Sequence, residues 1–205
     1  MIGLHFFLAH AVSDYSFTNP MKLKGETDIK KWLKHSIWVF VVFLAFGFDT
    51  LFNSPLGIIS FVLALGFHFF VDFLRFKNKN NLLIESLSLI GFFIFSIIFS
   101  FLFSNSYITP IFTMYLIGMV CVSVIPTQIF RITGLLEAKE NESEGISERL
   151  AMFVFIFAGN FWLGILAAVA GLVYRLFFRK KFNPVWYLSP VIGVIVPLIF
   201  KAIIK

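Results

Sequence analysis

Residues four apart on an α-helix share a face, so HFFLAHAVSDY (5–15) and HFFVD (68–72) each carry an imidazole and a carboxylate along one edge, His10 with Asp14 and His68 with Asp72. The chain has four histidines and four aspartates, and half of each belong to these two pairs. Imidazole plus carboxylate is a ligand set for a divalent cation such as zinc, iron or manganese. Two such edges supply three or four ligands and leave room for water. A cation with an open position lowers the pKa of its water towards about 7 and supplies a hydroxide nucleophile. The expected metal ligands are therefore His10, Asp14, His68 and Asp72. His35 is a fifth ligand or proton shuttle, and Glu85 is the general base. The competing reading is that each aspartate hydrogen-bonds its own histidine or a neighbouring helix, fastening the bundle without metal. His5 lies five residues before His10, about 140° off that face, and is expected as an interfacial or packed histidine.

The elements that carry these groups follow from the solvent. The 205 residues are 59% hydrophobic and 19% aromatic, with a mean hydropathy of +0.91. That is more apolar surface than the core of a water-soluble domain can enclose. A bilayer core needs roughly 20 apolar residues per helix, and such stretches recur. The runs are continuously apolar, without the two-residue alternation of an outer-membrane barrel. The fold class is thus all-α, a polytopic transmembrane helical bundle of six or seven spans, expected over about 1–17, 33–53, 56–76, 82–104, 108–130, 150–173 and 185–204. The first, short and polar, could be a half-penetrating helix. Residues 1–100 form a His/Asp-bearing four-helix membrane core, and 101–205 add further helices to one continuous membrane domain.

Lysine and arginine set the orientation, because short cytoplasmic loops are enriched in them. Lys22, Lys24, Lys30, Lys31 and Lys34 precede the second span, and Arg75, Lys77 and Lys79 follow the third, whereas Asp49–Pro55 and Asn105–Pro110 carry none. These basic connections are expected in the cytoplasm, which puts Asp14, His35, Asp72 and Glu85 at one leaflet. Charged side chains within spans are costly unless they pair, line a wet cavity or bind something, so their convergence reads as a site. Residues 131–149 fit a third cytoplasmic loop, with AKENESEGISE as a solvated stretch. Beyond it the rule breaks: one crossing by 150–173 would leave Arg175, Arg179, Lys180 and Lys181 outside. A break at Gly159-Asn160 or Gly171, or a surface-lying tail to the sixth helix, would repair the count. The C-terminal side stays open.

The remaining polar residues carry less. Lys22 and Lys24 are the candidate substrate-binding residues, for a phosphate group, although a topology signal beside anionic lipid explains them as well. The net charge of +6 sits at span ends, where lipid headgroups account for it, and no nucleic-acid partner is expected. Asp49 reads as a solvated turn residue. Ser123, Gln128 and Asn160 read as helix–helix hydrogen bonds. Cys121 has no partner for a disulfide, and the thirty phenylalanines read as packing material.

HFFLAHAVSDY, the lysines of MKLKG, KHSIWVF, GFHFFVDFLR and LLIESLSLI together resemble the bacterial integral-membrane family known as domain of unknown function 3307, over residues of about 1 to 100. That family's pattern has a first His-x-x-x-Asp with a following aromatic, a lysine, a lone histidine, a second His-x-x-x-Asp, and an Asp-Gln-x-x-His near the start of the next helix. The matching positions are His10, Asp14 with Tyr15, Lys22 or Lys24, His35, His68 and Asp72. At the last motif this chain has Ile84, Glu85 and Ser88, and Thr18 stands where the family has a glutamine. The resemblance implies a bacterial cytoplasmic (inner) membrane and a distant similarity to membrane-bound metal-dependent hydrolases.

The function expected from these residues is a metal-dependent membrane hydrolase, acting at the cytoplasmic leaflet on a lipid-linked or membrane-delivered ester or phosphoester. Its partners are the lipid bilayer and that lipid-linked or small-molecule substrate. The alternative is a small transport or substrate-binding subunit that uses the same groups for a cation, proton or solute.

Overall fold

A computed structural model describes residues 2–16, 29–77, 81–137, 142–178 and 183–204, which are helical with no strand among them. The chain forms two compact units, Met1–Met114 and Tyr115–Lys205. Four helices are long and apolar enough to cross a membrane: α4 (Pro55–Lys77), α6 (Pro110–Ile132), α8 (Phe161–Phe178) and α9 (Val185–Ile204).

The first unit wraps α2 (Ile29–Ala45), α4 and α5 (Asn81–Ile98) around a short, enclosed α1 (His5–Ala11). Nearly every side chain of α1 is buried, so it sits inside the unit rather than on its surface. A π-helical turn, Val12–Ser16, continues it. In α2 the buried positions are His35, Val39, Val42 and Phe43. In α4 they run Gly57, Ser60, Phe61, Ala64, His68, Val71, Asp72, Arg75. Both are stripes of helical period, and on each one end is apolar and the other polar. The apolar ends meet as a core of Phe6, Val39, Val42, Phe43, Phe61 and Phe92 with their neighbours.

The helix starts are written locally. Ser54 precedes Pro55 and its Oγ accepts from Gly57 N at 3.0 Å. Thr109 precedes Pro110 and its Oγ1 accepts from Phe112 N at 3.2 Å. Each is an oxygen cap followed by a residue with no N–H to satisfy. The second expected span, 33–53, is corrected here: α2 ends at Ala45, and a turn at Phe46-Gly47 leads into the single turn α3 (Phe48–Leu51). Asp49 there is half-buried rather than simply solvated, accepting from Tyr107 N at 2.8 Å and Ser106 Oγ at 3.3 Å. His5 is a packed histidine: its Nε2 donates to Ile108 O at 2.7 Å, and its ring stacks on Phe103 at 4.1 Å.

In the second unit α7 (Ser143–Phe157) packs on α8 and α9. A single helix over 150–173 does not form. Gly159 has φ +94, Asn160 N donates to Phe155 O at 2.8 Å and Gly159 N to Ile156 O at 3.0 Å. Those two bonds are the Schellman arrangement, which needs a left-handed residue and stops a helix. The alternative break does not occur, since Gly171 is inside α8. The reading of Arg131–Arg149 as a solvated loop is also corrected: Glu142, Glu148 and Arg149 are buried. Pro126 has no N–H to give Val122 O, and Arg149 Nε donates to that carbonyl instead at 2.8 Å. Arg149 also binds Glu142 through Nη1 at 2.7 Å, Ser189 Oγ at 2.9 Å and Ser123 O at 2.8 Å. Arg175, which pairs with Glu148, stands 3.5 Å from Trp186 O, the carbonyl that Pro190 leaves without its helical donor.

Candidate metal centre

Four helices of the first unit converge their polar ends on one buried cluster. α1 and its π-helical extension bring His10, Asp14 and Tyr15, α2 brings His35, α4 brings His68, Asp72 and Arg75, and α5 brings Glu85. All eight are buried. The π turn matters because Ser13, Asp14 and Tyr15 are buried in succession, where a regular α-helix would rotate one of the three outwards.

His35, His68 and Asp72 form the tightest group of donors. His35 Nε2 lies 3.5 Å from His68 Nε2 and 3.2 Å from Asp72 Oδ2, and His68 Nε2 lies 3.4 Å from Asp72 Oδ2. Nitrogen and oxygen ligands about 2.0–2.2 Å from zinc in a tetrahedron stand about 3.3–3.6 Å from each other. The triangle has that size, so these residues fit one face of a tetrahedral site and leave a fourth position. Asp72 Oδ2 makes no hydrogen bond of acceptable geometry and neither does His35 Nδ1. A buried carboxylate oxygen in that state is costly unless something positive completes it. Asp14 Oδ1 borders the triangle, 3.3 Å from His68 Nε2 and 3.7 Å from His35 Nε2. The buried His/Asp groups can therefore hold a metal ion, as can the set His10, Asp14 and His68.

His10 stands behind His68, the two Nδ1 atoms 3.2 Å apart. Were His68 Nε2 to bind an ion, its Nδ1 would carry the proton and donate to His10 Nδ1, the way outer partners orient metal-binding histidines. Phe92 stacks on His10 at 4.1 Å and Phe43 meets His68 edge-on at 5.8 Å, so two of the packing phenylalanines hold the imidazoles.

Arg75 binds the carboxylates together. Its Nη1 donates to Asp14 Oδ2 at 2.6 Å and Asp72 Oδ1 at 2.8 Å, while Nε and Nη2 donate to the two oxygens of Glu85 at 2.9 and 2.8 Å. Each aspartate thus turns one oxygen to the guanidinium and the other to the histidines. Glu85 also accepts from the Tyr15 hydroxyl at 2.5 Å. It faces Arg75 and Tyr15, not the His35/His68/Asp72 triangle. Lys22 and Lys24 lie outside the described residues.

The six residues singled out as metal ligands, shuttle and base are therefore brought together, with His35 closer to the centre of the cluster than His10. Arg75 was missed as a member, and Tyr15 entered only through the family resemblance. Their signal was spacing: Arg75 is three residues after Asp72 and seven after His68, on the same helical face, and Tyr15 adjoins Asp14.

No family model, curated protein or solved structure matches this chain.

Proposed function

We propose that this chain is a membrane-embedded metal-dependent hydrolase whose ion, most simply zinc, is held by His35, His68 and Asp72. The observation that carries the reading is the triangle of buried donor atoms, 3.2 to 3.5 Å on its edges, which would give an ion three protein ligands. Structural zinc sites are closed by four protein ligands, whereas catalytic ones keep a position open. A divalent ion held there would polarise an ester or phosphoester oxygen and ease ionisation of water.

The chain's own residues supply the rest. Asp14 Oδ1, beside both Nε2 atoms, is the oxygen positioned to take a proton from a hydroxyl at the open position. His10 orients His68, and Arg75 holds both aspartates in register. Glu85 takes the role of anchoring Arg75 rather than that of base. Towards the N-terminal ends of α1 and α4 and the C-terminal end of α2, the next buried layer is Phe6, Val39, Phe43, Phe61 and Ala64. That layer favours a site reached from one side over a pathway for transport.

The crossings follow from the same reading. Seven helices cross, namely α2 and α4 to α9, with α1 and its π turn entering halfway. The site faces the cytoplasmic leaflet of a bacterial inner membrane, and the likeness of residues 1–100 to domain of unknown function 3307 is part of the proposal.

The test is elemental mass spectrometry on detergent-purified protein, followed by hydrolysis of p-nitrophenyl decanoate and bis-p-nitrophenyl phosphate. Near-stoichiometric metal is expected in the wild type and its loss in His35→Ala and His68→Ala, with turnover of one substrate lost in the same variants. Negligible metal in every sample, after zinc, iron and manganese have been supplied, overturns the metal reading. Bound metal with no turnover of any ester or phosphoester overturns the hydrolase.

A further inference from the structure

A cleft of about 580 Å³ opens between α2 and α4 and ends at the metal-binding residues. Its α2 wall is Ile29, Trp32 and Ser36, and its α4 wall is Phe69, Phe73 and Phe76, with Asp72 at the inner end. The spacing on α2 is three then four residues, and on α4 four then three, so each wall is one helical face. A volume of about 300–1,000 Å³ is usual for sites that enclose a small ligand. Its lining here is unusual in that hydrocarbon and aromatic surface leads to a single carboxylate.

We propose that this cleft holds a hydrocarbon chain of a bilayer-borne ligand, which reaches the His/Asp site sideways from the membrane with its polar end at Ser36 and Asp72. The inference rests on the metal-site reading and adds to it the substrate class: a molecule with an acyl or alkyl chain. Three observations select that occupant. Ile29, Phe69, Phe73 and Phe76 are exposed on helices whose outer surface is apolar, and α4 is one of the candidate membrane spans, so the cleft opens towards lipid. Among the described residues its lining carries no basic side chain, which disfavours a water-borne anion. Asp72, itself buried, belongs both to the cleft lining and to the donor triangle, so the inner end of the cleft is polar and matches a ligand with a polar terminus. A hydrocarbon chain with a polar terminus satisfies both ends, whereas a neighbouring apolar helix satisfies only one. Trp32, ring to ring with Phe76 at 6.2 Å, stands near the start of α2, and an indole is the kind of amphipathic ring that settles at the membrane interface.

The assignment makes Ser36 and Phe69 determinants of chain binding that need not touch the metal. It is tested with a fatty alcohol carrying a mid-chain diazirine, photolysed in phosphatidylcholine vesicles containing the full-length protein, with labelled residues mapped by mass spectrometry and metal measured on the same samples. Labelling of Trp32, Phe69 and Phe73 is expected to saturate with dose and to be competed by 1-dodecanol and not by ethanol. It is expected to fall at least tenfold in Ser36→Phe with metal content unchanged. Phe69→Trp, which narrows the cleft from the other wall, gives the same loss should Ser36→Phe not fold. Labelling that never saturates, spreads equally over Val62 and Leu63 of α4 and ignores both variants overturns the proposal, as do cross-links between two copies through the cleft. Saturable labelling without bound metal keeps the cleft and overturns the metal reading, whereas bound metal without saturable labelling overturns the cleft alone.

Discussion

Arg75 meets three carboxylates with one planar group, and no other side chain has donors arranged for that task. A lysine has a single ammonium and cannot reach Asp14, Asp72 and Glu85 at the separations observed. Arg75→Lys is therefore expected to lower zinc affinity roughly 10- to 100-fold, the usual consequence of losing a group that orients metal ligands. Competition against a chelator of known affinity measures it, and wild-type affinity in Arg75→Lys would remove Arg75 from the site. Tyr15→Phe deletes one donor to Glu85 and leaves Arg75 in place, so its affinity loss is expected to be the smaller of the two. The doubled His-x-x-x-Asp was legible in the sequence because a four-residue spacing fixes a shared face before anything is known of tertiary packing. Arg75 was not, because an arginine at the end of an apolar run reads equally as a topology signal and as an inward-turned ligand partner. Nor was the order of His10 and His35 about the centre, which depends on how α1 is enclosed.

At the scale of the helix, prolines and arginines are coupled in the second unit. Pro126 and Pro190 each free a carbonyl within a long helix, and Arg149 and Arg175 stand at those carbonyls. Arg149→Met leaves Glu142 a buried carboxylate without its guanidinium and returns Val122 O to an unsatisfied state. The expected cost is about 3–5 kcal/mol, as for breaking one side of a buried ion pair. Arg149→Met/Glu142→Met is expected to recover most of that loss, because removing both charges removes the desolvation problem. Thermal unfolding of the three variants in one detergent checks it, and equal destabilisation of the single and double variants would refute the coupling. Gly57→Ala is a second case: a methyl at Gly57 would run into the Leu51 carbonyl. Backbone cannot swing aside as a side chain can, so a loss of about 1–3 kcal/mol is expected in the same assay. The length of the apolar run located α4 to within one residue at each end, 56–76 against Pro55–Lys77. It failed over 150–173 because α7 and α8 are both apolar enough to read as one run, and only the left-handed Gly159 divides them.

For the whole molecule, the division at Gly159 bears on the topology expected for the later basic residues. If 150–173 crossed once, Arg179, Lys180 and Lys181 would break the positive-inside bias. Were α7 and α8 separate crossings joined at Ala158–Asn160, as proposed above, the charge rule would be kept, with Arg179, Lys180 and Lys181 expected in the cytoplasm. Membrane residence itself was legible from composition alone, since no arrangement of so apolar a chain hides its surface from water. The end of α7 at Gly159 was not chosen among the possible breaks, because hydropathy averages over the three residues that turn the chain. Single cysteines placed in a Cys121→Ser background at Ser54, Asn105 and Asn160 are expected to react with a membrane-impermeant maleimide from outside intact cells. Cysteines at Lys77, Leu135 and Asn183 are expected to react only after the membrane is opened. Protection of Asn160 together with labelling of Asn183 would restore a single crossing there. It would then put the basic residues between α8 and α9 outside, against the charge rule that orients the rest of the chain.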